Sequence, residues 1–113
     1  MNISDYQAQC LRTTTHLTTE QMLEECLLSI PEEAGEILRP FKKHRFHGMP
    51  LDKDEIAEEI GDVMWYCVVL AHCLGIDASQ VLDMNLRKLQ ARYPDGFVLR
   101  GNDASKSGKQ TEE

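Results

Sequence analysis

Seven acidic side chains fall into two tight groups, Glu32, Glu33 and Glu36, then Glu55, Glu58, Glu59 and Asp62. Residues three or four apart share a helix face. If both stretches are helical, Glu33 with Glu36 and Glu59 with Asp62 each present two carboxylates in one direction. Each pair is half of an octahedral oxygen site. Oxygen ligands suit hard cations. Magnesium takes a few carboxylates, keeps several waters and accepts phosphate oxygens for the rest, and manganese can replace it.

Acidic residues at helical spacing most often form a solvated surface. Here one group lies among Ile30, Ala34, Ile37 and Leu38 and the other among Ile56, Ile60, Val63 and Met64. A charge beside apolar surface calls for a partner. Four carboxylates brought together without a cation would repel and raise one another's pKa. Gly35 precedes Glu36 and Gly61 precedes Asp62. Each glycine costs ~1 kcal/mol against alanine in a helix interior. Together with Ala34 they are expected to let the two acidic faces approach.

The elements that must position these residues are helical, since no stretch shows sustained period-2 alternation and no solenoid repeat is visible. A first helix is expected after Ser4 or Asp5, either able to cap it. A second starts at Thr18 or Thr19 and carries Met22, Leu23, Cys26, Leu27, Ile30, Ala34, Ile37, Leu38 and Phe41 at the 3.6-residue period. Pro31 predicts a kink or a split near Ser29 and Ile30. Residues 42–50, with Gly48 and Pro50, read as a basic connecting loop.

Asp52 or Asp54 caps a third helix running from about Glu55 through Leu74, which Gly75 ends. Asp77 or Ser79 opens a fourth, carrying Val81, Leu82, Leu86 and Leu89 and stopping before Pro94. Residues 1–100 form one domain, and the polar tail 101–113 is expected to be disordered. From Ile60 to Leu74 the third helix leaves almost no polar face, so it must be covered on all sides, and a second copy of the chain is expected to supply part of the cover.

Composition narrows the function. A chain of 113 residues with 42% hydrophobic and 27% charged side chains falls within the range of one globular domain. A net charge of −7 opposes binding to nucleic-acid polymers or anionic membranes. The longest apolar tract, Ile60 to Ile76, is interrupted by Asp62 and His72 and falls short of the ~20 residues of a membrane span. The N-terminus, Asn2-Ile3-Ser4-Asp5, has no basic n-region of a secretory signal. Cys10, Cys26, Cys67 and Cys73 form no C-x-x-C pair, so reduced thiols and a cytoplasmic location are expected. His16 and His72 have no partner at ligand spacing.

The run Glu32-Glu33-Ala34-Gly35-Glu36, followed by Glu59-Ile60-Gly61-Asp62, resembles the E-E-x-x-E and E-x-x-D signature of the MazG-like all-α nucleotide pyrophosphohydrolases. The similarity covers roughly Tyr6 to Phe97, and Tyr93-Pro94-Asp95-Gly96-Phe97 is similar to the family's closing segment. The resemblance implies an all-α, four-helix bundle that assembles as a homo-oligomer, a homodimer or tetramer. It implies hydrolysis of nucleoside triphosphates, ribo or deoxy, between the α and β phosphates to a monophosphate and pyrophosphate, with house-cleaning of non-standard nucleotides as one such role.

By that likeness Glu33, Glu36, Glu59 and Asp62 hold magnesium, and Glu32 either orients them or positions the attacking water. The family commonly carries an asparagine, a lysine and an arginine along its last helix, and Asn85, Lys88 and Arg92 stand at i, i+3 and i+7 to meet phosphate or sugar. Tyr66, one turn after Asp62, is placed to flank a base or sugar, whereas Trp65 reads as core or dimer packing. Lys42, Lys43, His44, Arg45 and His47 would guide phosphates or form an ordinary solvated loop. A different class of reading is a nucleotide-binding or regulatory helical dimer that does not turn over. A di-iron bundle is disfavoured, because no histidine follows Glu33 or Glu59 at E-x-x-H spacing.

Overall fold

Asn2, rather than Ser4 or Asp5, opens α1 (Ile3–Cys10), its side chain accepting the Asp5 N–H at 2.8 Å. The computed structural model describes residues 1–14 and 16–96. A single 3-10 turn, Leu11–Thr13, follows α1. Four further helices complete the described chain: α2 (Thr19–Glu36), α3 (Leu38–His47), α4 (Lys53–Cys73) and α5 (Ala78–Arg92). The architecture is all-α. The four expected helical stretches are all helical, the second being divided at Ile37 into α2 and α3. Phe97 and the tail 101–113 lie outside the described residues.

Local chemistry accounts for the boundaries. Thr18 and Gln21 form a capping box at the start of α2, each side chain bonded to the other's backbone N–H. Pro31 neither splits nor ends α2, which runs on through it to Glu36. The carbonyl that loses its donor there belongs to Leu27, and both residues are exposed, so water can take the bond. The division comes instead at Ile37. Pro40, which cannot donate to the Glu36 carbonyl, is tolerated in the first turn of α3.

The expected loop 42–50 is corrected over its first six residues, since Lys42 to His47 complete α3. Gly48 ends that helix at φ 70°, a left-handed conformation that favours glycine. Proline near the start and glycine after the end were the signals of this helix, masked by its run of charge. Asp52 caps α4 by accepting the Glu55 N–H at 3.0 Å, and Gly75, at φ 75°, follows its last turn.

The chain divides into two compact units, Met1–Ala78 and Ser79–Glu113. In the first, α2 and α1 pack on α4 around Cys10, Met22, Cys26, Val68, Val69 and Ala78. Buried Gln7 ties this unit together: its Nε2 donates to the carbonyls of Val68 (2.8 Å) and Ile76 (3.2 Å), and its Oε1 accepts the Ala78 N–H at 3.0 Å. Outside it, Ser4 Oγ donates to Asp77 at 2.7 Å. All four cysteines are free thiols. In the second unit the described residues are α5 and the turn after it, where the Gly96 N–H returns to the Tyr93 carbonyl at 3.0 Å. Among the described residues no single helix is long and apolar enough to cross a membrane.

Replacing Gln7 by Leu leaves the Ala78 N–H and the Ile76 carbonyl without these partners in a buried setting. The expected loss is about 2–3 kcal/mol of unfolding free energy, read from urea denaturation. A loss under about 0.5 kcal/mol would show that the three bonds do not hold α1 to the end of α4.

Candidate metal centre

Cys26 on α2 and Val69 on α4 share the core. Seven residues onward from Cys26 stands Glu33, and seven residues back from Val69 stands Asp62. Both steps are two helical turns, about 10 Å. The two helices therefore run antiparallel, and the alignment that buries Cys26 with Val69 also brings Glu33 to Asp62. Glu59, one turn before Asp62, joins them: carboxylate oxygens of Glu33, Glu59 and Asp62 all lie within 4.8 Å of one another. Glu33 and Glu59 are half-buried and Asp62 is exposed.

This donor set fits a hard divalent cation. It offers several anionic oxygens, and its partial exposure leaves room for water or phosphate to complete the shell. Among the described residues no ion pair joins a cationic side chain to these three carboxylates. Partial burial pushes the Glu33 carboxyl above its ordinary value, and the negative charges of Asp62, Glu59, Glu32 and Glu36 push the same way. Tyr6, packed against the core, is raised to about 12 by burial first, then by a hydrogen bond and electrostatic interaction with Cys10 and by the charge of Asp62. Its hydroxyl stays protonated at neutral pH and adds no further negative charge.

Two other expected residues behave differently. The Glu36 carboxylate is bonded to the Arg39 guanidinium rather than gathered with the other three. Glu32 is exposed on α2 next to Glu33. Glu55 is drawn into a separate network, with its two carboxylate oxygens each 3.8 Å from a cation, Arg39 and Lys43 respectively. Arg39 was missed by sequence reasoning, although its position three residues after Glu36 was the available signal. The close-approach role expected of the glycines is not borne out. A Cβ on Gly35 or Gly61 would meet nothing within 4 Å, so neither is needed for α2 to approach α4.

Beside the cluster lies a hollow of about 400 Å³ walled by Glu33, Asp62, Trp65 and Tyr66. The two rings meet edge to face, with centroids 4.9 Å apart and planes at 81°. Tyr66 stands one turn after Asp62 and lines the hollow with it. Trp65 does pack against the core, but it also borders the hollow, a second role that its place in an apolar run concealed. Asn85, Lys88 and Arg92 stand exposed on one face of α5, in the second unit.

The chain is similar to the "Gene 37 protein" of Mycobacterium phage L5, with 39% identity over 75 residues that make up 63% of this chain and 66% of the phage protein. The chain thus spans just under two thirds of that relative's length. No solved structure matches it significantly. A match to the MazG nucleotide pyrophosphohydrolase domain runs over residues 16–97, taking in both acidic motifs and the whole of α5. With its carboxylates gathered between α2 and α4 and its sequence matched from His16 to the end of the last helix, the chain belongs to the MazG nucleotide pyrophosphohydrolase domain family.

Proposed function

We propose that the chain is a magnesium-dependent hydrolase that splits ribo- or deoxynucleoside triphosphates between the α and β phosphates, releasing a monophosphate and pyrophosphate. The observation that carries this reading is the convergence of Glu33, Glu59 and Asp62 beside a hollow with two aromatic walls. Family membership supplies the reaction class.

In this reading Glu33, Glu59 and Asp62 hold magnesium, with manganese as a substitute. Glu36 is the fourth ligand that the family likeness implies, and its recruitment would break its ion pair with Arg39. When bound, the cation neutralises phosphate charge and makes a water molecule more acidic. Glu32, next to Glu33, positions the attacking water as a base or supports the ligand set. Trp65 and Tyr66 offer ring surface to a planar base, and Tyr66 can flank base or sugar. Lys88 and Arg92 are assigned to phosphate oxygens and Asn85 to phosphate or sugar, on the family likeness and their common face.

The reading extends to a homodimer or tetramer. Leu27, Leu28, Ile60, Met64 and Leu74 are large apolar side chains left between 44% and 76% exposed on α2 and around α4. Large apolar side chains left exposed in this number call for a covering partner. Sedimentation at the mass of a single chain would contradict this part.

Incubated with magnesium and a panel of nucleoside triphosphates, the protein should release pyrophosphate and the matching monophosphate. Asp62→Asn should lower kcat by at least ~100-fold while leaving the helical circular dichroism intact. Release of orthophosphate instead, or full activity in Asp62→Asn, would refute the assignment.

The raised Glu33 carboxyl gives a second prediction. A carboxyl whose folded pKa lies above its unfolded value favours folding fully below the unfolded value. That contribution is lost as pH rises through the folded one. Metal-free protein should therefore lose stability relative to Glu33→Gln as pH climbs from the ordinary carboxylate range through the raised value. Thermal melts of the two proteins in chelator, measured across that window, should diverge upward in pH. Parallel curves would mean that neither burial nor the neighbouring charges raise this carboxyl.

A further inference from the structure

From Ile37 to Leu51 this acidic chain has no Asp or Glu, yet Arg39, Lys42, Lys43, His44, Arg45 and His47 all fall there. They lie on α3. Most of this charge has a local explanation. His44, Arg45 and His47 stand in the last turn of α3, where cations complement the helix dipole. Arg39 bonds Glu36 and lies 3.8 Å from Glu55, and Lys43 lies 3.8 Å from the other Glu55 oxygen. Lys42 is what remains. It is exposed, and it has no ion pair among the described residues.

Lys42 also borders a hollow of about 420 Å³, together with Glu36, Arg39, Lys43, His47 and Gly35. Glu36 links this hollow to the carboxylate cluster, because it stands one helical turn from Glu33 and borders the hollow as well. Gly35 has no side chain where it borders the space, and a Cβ there would meet nothing within 4 Å. A multiply charged phosphate group entering the hollow would meet an ammonium without a partner at Lys42. It would also meet the planar donor fork of Arg39, for which it can replace Glu36 as the acceptor.

We propose that this hollow receives the pyrophosphoryl end of the substrate, its β and γ phosphates, and then the pyrophosphate product, with Lys42 as the principal contact. The inference rests on the triphosphate reading above. It divides the substrate between two places along α2 and α3, the base toward Trp65 and Tyr66 and the terminal phosphates toward Lys42.

The test is calorimetric titration of pyrophosphate, in magnesium, into the resting wild-type protein, Lys42→Gln, Lys42→Arg and Arg45→Gln. Lys42→Gln and Arg45→Gln each remove one positive charge from α3, but only Lys42 borders the hollow. Lys42→Gln should weaken pyrophosphate binding about tenfold, as loss of one charge-assisted contact would. Lys42→Arg should retain most of the affinity, and Arg45→Gln should change it less than about twofold. Equal losses in the two glutamine variants would mean a diffuse field rather than a contact and would overturn the inference. So would no loss at Lys42→Gln, or no binding to wild type. The titration needs no turnover, so a failure of the proposed reaction would appear separately, in the identity of the released product.

Discussion

Carboxylates that repel are held together because the helices bearing them are held together elsewhere. Glu33, Glu59 and Asp62 bring carboxylate oxygens within 4.8 Å of one another with no ion pair to any of them among the described residues. Two turns away along the same pair of helices, Cys26 and Val69 are fully buried. The apolar end fixes the alignment of α2 on α4, and that alignment sets the carboxylates against one another. Stability is thereby spent on a centre that a divalent cation would relax. The position of the core, rather than any local feature of the acidic residues, makes the site.

A second constraint is the division at Ile37. Had the helix run straight on from Glu36, the basic residues that follow would have continued the line of α2. The break falls three residues before Pro40, and α3 carries Arg39 and Lys43 to Glu55 on α4. Positive charge is thus brought next to the acidic region without entering it. Arg39 and Lys43 occupy Glu55, Arg39 occupies Glu36, and the three clustered carboxylates have no ion pair among the described residues. This sorting of charges keeps the basic side chains of α3 out of ion pairs with the three clustered carboxylates among the described residues.

Much of this was legible in the residues. The 3.6-residue pattern from Met22 onward and the caps at Thr18 and Asp52 defined α2 and α4, and the spacings of Glu33, Glu59 and Asp62 placed them on facing sides. Long-range pairing was the harder part. Glu36 looked equivalent to Glu33 by spacing, but helix periodicity cannot tell which of two adjacent turns finds an arginine. Pro31 and Pro40 carry the same covalent penalty, yet one lies within a continuous helix and the other follows a break. The difference is position, because a proline in a first turn displaces no bond of its own helix and so marks a start. Gly35 and Gly61 were given a packing role on helix propensity alone, and only the surrounding space could show otherwise. Gln7 gave no periodic signal, since its role depends on residues more than sixty positions away.

The central claim is that α2 and α4 jointly hold one hard cation through Glu33, Glu59 and Asp62. Crystals grown with manganese test it directly through anomalous scattering. The account predicts a strong peak about 2.1 Å from oxygens of all three side chains, the separation expected for a small octahedral ion. A manganese peak held by other residues alone, with these three carboxylates turned apart, would contradict it.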